Sequence, residues 1–141
     1  MEQRVSLITL GVADIGRARR FYERLGWRGH EAEETVFIQA GPVAVVLWGR
    51  AKLAEDAGFH DEGTDGFGGM AIAHNVRSRE EVDSVLAEAV AAGAELSQPA
   101  RETFYGGYAG CFRDPDGHVW EIAHNPAFTL AADGSLVLPE F

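Results

Sequence analysis

The hydrophobic pattern from Val5 to Val12 is a β-rich run with Ile8, Leu10 and Val12 on one face and Leu7 and Thr9 on the other, which predicts a strand. The period then changes. Asp14 stands as an N-cap before Ile15, Ala18, Phe21, Tyr22 and Leu25, apolar positions three and four apart, and Gly26 supplies a left-handed stop. That spacing predicts a helix over 14–25. A strand near Trp27, another over 35–39, a Gly41-Pro42 turn and a third over 43–48 follow.

The same order returns in the second half. A strand over 70–76 precedes the capping box Ser78-Arg-Glu-Glu81 and a predicted helix over 79–92. That helix buries Val82, Val85, Leu86, Ala89 and Val90 and stops at Gly93, and strands are predicted over 94–96, 108–113 and 119–123. Val12-x-Asp14 corresponds to Val76-x-Ser78, and Leu25-Gly26 to Ala92-Gly93. The chain therefore reads as a duplication of strand, helix and three strands, a unit that cannot cover its own sheet alone. Between the copies, Lys52 to Gly69 holds Glu55, Asp56, Asp61, Glu62 and Asp65 with five glycines, and reads as a linker or mobile loop. The expected organisation is a first module over 1–51, a linker over 52–69, a second module over 70–126 and a C-terminal tail over 127–141, together one domain. In the tail, Asp133-Gly134 predicts a short hairpin, and the apolar residues from Phe128 to Leu138 exceed what a free terminus needs.

Composition narrows the possible partners. The 141 residues suit one domain of ordinary size, 46% of them hydrophobic. Twelve basic and 22 acidic residues give a net charge of −10, which repels phosphate backbones and anionic lipids and argues against nucleic-acid and membrane binding. The start carries no basic, apolar leader and no stretch reaches membrane-spanning length. One cysteine, Cys111, cannot form an internal disulfide, so a reducing cytoplasm is the expected location.

Val12-Ala-Asp14, Phe21-Tyr22, Leu25-Gly26 and Asp114-Pro-Asp-Gly117 followed by Trp120-Glu121 together resemble the vicinal oxygen chelate superfamily, which includes glyoxalase I, extradiol dioxygenases, fosfomycin-resistance enzymes and bleomycin-binding proteins. The resemblance runs from Val5 to about Pro126. It implies an α+β fold of paired βαβββ modules whose sheets form a cup, the glyoxalase/bleomycin-resistance fold, with a ligand inside and commonly a homodimer. It does not fix the chemistry, because such a fold hosts several.

In the last strand, Trp120 and Ile122 are expected on the helix side, which turns Val119, Glu121 and Ala123 toward the cup. Metal enzymes of the superfamily carry ligands at four related positions, which the motif matches place on Leu7, near Val45, on Ala71 and on Glu121. Only Glu121 can bind a metal, whereas a catalytic zinc or iron site wants about three protein ligands. Of the five histidines, His30, His60, His74, His118 and His124, the last two point opposite to Glu121 on a strand, and His60 sits in the linker. His74 enters the pocket only if its strand slips by one residue. Pairing Phe112 with Trp120 across the Asp114–Gly117 turn sets Cys111 and Arg113 beside Glu121, where Arg113 can meet that carboxylate or an anionic ligand. Phe104, Tyr105 and Tyr108 surround a Gly-Gly kink and, with Trp48 and Phe59 or Phe67, offer flat apolar surface.

Two functions follow. One is a metal-free protein of bleomycin-resistance type that holds a small aromatic or apolar molecule, lined by Trp48, Phe59, His74, Phe104, Tyr105, Tyr108, Cys111, Arg113 and Glu121, with no cofactor. The alternative is an enzyme, a glyoxalase-like isomerase, lyase or dioxygenase, using a divalent metal or Glu121 as general base.

Overall fold

The computed structural model describes residues 1–63 and 66–140; Asp65, one of the acids assigned to the linker, lies outside the described residues. The chain divides into two compact units, Met1–Gly68 and Gly69–Phe141.

The first unit runs β1 (Leu7–Val12), α1 (Ile15–Arg24), β2 (Gly29–Ala32), β3 (Thr35–Ala40), β4 (Val43–Gly49) and α2 (Arg50–Asp56). Its sheet has the order β1-β4-β3-β2, with β1 parallel to β4 and the other pairs antiparallel. Asp14 caps α1 by accepting a hydrogen bond from the Arg17 backbone N–H at 2.9 Å, and Gly26 takes φ +87° just beyond the last turn. Ala18, Phe21 and Tyr22 of α1 are buried with Leu10, Val12, Val36, Ile38, Val45 and Leu47, which the pairing register sets on one face. Trp27 does not join a strand. It packs its ring 5.7 Å from Tyr22, and β2 starts two residues later.

The segment expected as a linker begins instead with helix α2. Arg50-Ala-Lys-Leu-Ala-Glu-Asp56 is a run of residues of which most favour helix, a signal masked by the acids and glycines that follow. Gly11 admits the helix, since a Cβ there would lie 3.2 Å from Arg50 Cγ and 3.3 Å from Leu53 Cδ2.

The second unit runs β5 (Ile72–Asn75), α3 (Arg79–Ala92), β6 (Glu95–Glu102), β7 (Tyr108–Arg113), β8 (Val119–His124) and a small hairpin of β9 (Thr129–Leu130) and β10 (Leu136–Val137). Its main sheet, β5-β8-β7-β6, repeats the strand order of the first unit, with β5 parallel to β8. Each unit thus holds a βαβββ motif, and the fold is α+β, as the repeated cap, helix and glycine stop predict. Ser78 Oγ accepts from Glu81 N–H at 3.1 Å, Glu81 returns a bond to Arg77 N–H at 2.9 Å, and Gly93 closes α3 at φ +116°. Val82, Leu86, Ala89 and Ala92 are buried, but Val90 is 48% exposed, contrary to the expected stripe. The buried row follows 82, 86, 89 and 92, and position 90 falls on its outer shoulder.

Strand β6 is longer than predicted. It continues past Leu96 through Pro99 to Glu102, and its register with β7 shifts twice, between Leu96 and Gln98 and between Gln98 and Arg101. A proline with few apolar neighbours hides such a strand from any pattern search, and only an edge position tolerates it.

Candidate functional site

The turn before β8 aims Glu121. Asp114 is 4% exposed, and its Oδ1 accepts hydrogen bonds from the backbone N–H groups of Asp116 and His118, each at 2.9 Å. Gly117 supplies the left-handed residue at φ +88° that the turn requires. This fixes the register of the hairpin: Phe112 opposite Trp120, Cys111 opposite Glu121, Arg113 opposite Val119. The Phe112 and Trp120 rings stack 6.3 Å apart at 11°. A Cβ on Gly110 would lie 2.6 Å from Leu86 Cδ1, so Gly110 and its alternates face α3. Cys111 and Glu121 therefore occupy the opposite face.

On that face the register aligns Gln98, Cys111, Glu121 and Ala73 in one row across four strands. The next row holds Arg101, Ala109, Ala123 and Asn75. Glu121 is half-buried, and its carboxylate has no hydrogen bond or ion pair among the described residues. Burial and then the Glu121 charge raise the Cys111 thiol above its ordinary value, with Arg101 pulling the other way. Gln98 and Arg101 escape the sequence pattern, which ends this strand at Leu96, whereas β6 runs on to Glu102.

Several expected site residues fall elsewhere. Tyr108 pairs with His124 and turns toward α3, where its hydroxyl donates to Asp83 Oδ1 at 2.8 Å and the Arg79 guanidinium lies 5.3 Å from its ring. The bond to Asp83 holds the phenol above its usual pKa. His74 is in register with Ile122, so it shares the α3 side of the sheet and is exposed; no register slip turns it inward. Arg113 lies on the Glu121 face but pairs with Glu95 at 3.3 Å, not with Glu121. Phe104 is fully exposed, and its ring meets Tyr105 edge-on at 5.2 Å. Tyr105 folds over Gly107, where a Cβ would lie 2.6 Å from its Cε2. In the first unit Trp48 is half-buried beside Gly11, on the face opposite α1, and Phe59 is 72% exposed beyond α2. His118 lies in the turn as expected, but His124 ends the inner strand β8 rather than an edge, paired with Tyr108 and with Nδ1 3.3 Å from the Val76 carbonyl oxygen.

The residues in place do not fit a catalytic zinc or iron. Leu7 begins β1; on β4, Val45 shares the α1 side with Ile8, and Ala44 and Val46 share the side of Leu7. Ala71 precedes β5, which leaves Glu121, with Cys111 beside it, as the nearest donors. Among the described residues no three His, Cys, Asp or Glu side chains come together, against the roughly three protein ligands that such a centre wants.

A hollow of about 710 Å³ lies in the first unit, between the start of α1, the β2–β3 turn and α2. Six of its seven charged residues pair with one another, Arg19 with Glu31 at 2.9 Å, Arg50 with Asp61 at 2.8 Å, and Lys52 with Glu34, and the seventh, Asp14, caps α1. Those partners lower the pKa of Asp61 and Glu34, with the Gly63 N–H adding to Asp61. The hollow shares no residue with the Glu121 face, and the ion pairs of its walls tie α1, the β2–β3 turn and α2 together.

Two βαβββ units with one strand order and a carboxylate aimed from the last strand define a protein of the vicinal oxygen chelate class. Residues 4–122 match the family model described as the Glyoxalase/Bleomycin resistance protein/Dioxygenase superfamily, and the chain belongs to that family. It is similar to a glyoxalase-related enzyme from Fulvimarina pelagi, with 40% identity over 99% of this chain and 100% of that one and a TM-score of 0.89. A glyoxalase/bleomycin resistance protein/dioxygenase family enzyme from Burkholderia phytofirmans shares the fold at 23% identity and a TM-score of 0.73, covering 84% and 96% of the two chains. So does the fosfomycin resistance protein from Mesorhizobium loti, at 21% identity and 0.67, covering 89% and 94%. No curated protein matches the sequence.

Proposed function

We propose that the chain binds a small aromatic or apolar molecule against the Glu121 face and does so without a resident metal. The observation that carries this reading is the half-buried Glu121 carboxylate, which has no partner among the described residues. Leaving such a group unpaired costs free energy, and a ligand's hydrogen-bond donor removes that cost. Likeness to a glyoxalase-related enzyme and to a fosfomycin resistance protein supports a small-molecule role. The single cysteine supports a cytoplasmic location, and an exposed apolar tail supports a homodimer.

The same residue favours a second reading, an enzyme in which Glu121 takes a proton from the bound molecule, since a base must be free of other bonds and near its substrate. Metal analysis of the purified protein and a thermal-shift screen of small aromatic and apolar compounds, with zinc, manganese or chelator, test the proposal. We expect substoichiometric metal, shifts that ignore chelator, and weaker shifts for Glu121→Gln. Metal near one per chain that Glu121→Gln abolishes overturns it. Solvent deuterium entering a bound compound at a rate that falls about a hundredfold in Glu121→Gln, with binding kept, establishes the second reading instead.

A further inference from the structure

We infer that Arg101 anchors a carboxylate on the ligand, so that the bound molecule carries an anionic group at one end and a hydrogen-bond donor, directed to Glu121, at the other. This rests on the Glu121 face being the binding surface and adds the class of molecule it takes.

The second unit has no lysine and four arginines, 77, 79, 101 and 113. Three of them are committed to the protein. Arg77 donates to the carbonyls of Leu130 and Ala131 at 3.3 and 2.7 Å, Arg79 pairs with Glu102 at 3.2 Å, and Arg113 pairs with Glu95 at 3.3 Å. Arg101 has neither a hydrogen bond nor an ion pair among the described residues, although its chain neighbour is an acid. Glu102 is not available to it, being held by Arg79 across the edge of the sheet.

Placement distinguishes Arg101 from an ordinary solvated arginine. Its register partner is Ala109, which alternates with Cys111 and faces away from α3, so Arg101 stands on the Glu121 side. The Cys111 thiol registers both charges, one raising and one lowering its pKa. Arg101 and Glu121 are two strands and about two residues apart, which puts their Cα atoms roughly 12 Å from each other at ordinary strand spacing and rise. Strand side chains stand roughly perpendicular to their sheet, so both rise on the side that carries the small residues Ala109, Cys111 and Ala123. The gap between a guanidinium and a carboxylate so placed matches one aromatic ring with polar groups at both ends. A guanidinium binds carboxylate through two parallel N–H donors, and a phenol or amide donor satisfies Glu121.

The test uses 4-hydroxybenzoate and 4-hydroxybenzamide, which differ in charge and keep the ring and the phenol. Backbone amide NMR titrations are followed at Ala73, Cys111 and Glu121, together with the Arg101 Nε–H. We expect 4-hydroxybenzoate to shift all four signals and to bind about tenfold more tightly than the amide. Arg101→Gln should remove that preference and leave the amide's affinity within about twofold, and Arg101→Lys should keep part of it. Equal affinity of the two compounds for the wild type, or an Arg101→Gln variant that keeps the preference, overturns the role of Arg101 while the Glu121 face still responds. Shifts that miss Ala73, Cys111 and Glu121 for both compounds overturn the binding surface itself. The exposed position of Arg101 makes a folded Arg101→Gln variant the expected case, and its amide spectrum verifies that directly.

Discussion

A thiol beside a carboxylate ionises reluctantly, and Cys111 reports its surroundings through that effect. Burial and Glu121 raise its pKa, and Arg101 lowers it. Alkylation by iodoacetamide proceeds through the thiolate, so the midpoint of its rate against pH reads the three residues together. Wild-type protein should show a midpoint above that of a free cysteine. Glu121→Gln should move it down and speed reaction at a given pH, and Arg101→Gln should move it up. A midpoint indifferent to both substitutions would mean that neither charge lies near Cys111. Asp114 shows a second use of one carboxylate: by accepting from two backbone N–H groups it fixes the turn, and through the turn it decides which way Glu121 points.

At the level of elements, contact between α3 and its sheet depends on a missing side chain. Gly110 lies under Leu86, and a Cβ there would stand 2.6 Å from Leu86 Cδ1 and 2.9 Å from the Ala100 backbone nitrogen. Leu86 can change rotamer; the Ala100 backbone cannot retreat without disturbing β6. Gly110→Ala should therefore destabilise the fold by about 1–3 kcal/mol, the usual cost of overpacking, as read by urea denaturation. An unchanged midpoint would show that β6 yields freely at its two register shifts. The same irregular stretch carries Gln98 and Arg101, so a disturbed β6 should also weaken the preference for a carboxylate ligand.

At the scale of the molecule, apolar surface is left over. Leu136, Val137 and Leu138 are 44%, 52% and 59% exposed in the C-terminal segment, and Arg77, through the backbone carbonyls of Leu130 and Ala131, holds the β9–β10 hairpin that carries the first two. A run of this kind on a structured tail suits a partner surface. We expect a homodimer by light scattering, and Leu136→Asp with Leu138→Asp should shift it toward monomer by placing charge in the contact. Monomer at every concentration would remove the dimer from the proposal. No helix among the described residues is long and apolar enough to cross a membrane.

The sequence by itself determined the repeated βαβββ plan, because α1 and α3, the helix of each repeat, carry their own start and stop signals: Asp14 and Gly26, Ser78 and Gly93. Those are local rules, readable within a few residues. It also determined the face of Glu121, since the Asp114–Gly117 turn sets a hairpin register and strand alternation does the rest. Tertiary structure alone decided the neighbours. Arg113 adjoins Glu121 in the pattern, yet Glu95 on β6 claims it; Tyr108 belongs to an aromatic cluster in sequence, yet Asp83 on α3 draws it to the other side. His74 was settled by its alignment with Ile122. Gln98 and Arg101 came onto the Glu121 face only through two register shifts in a strand that contains a proline. Partners from distant strands compete for each charged side chain, and that competition is decided by pairing across the sheet, where local spacing carries no information.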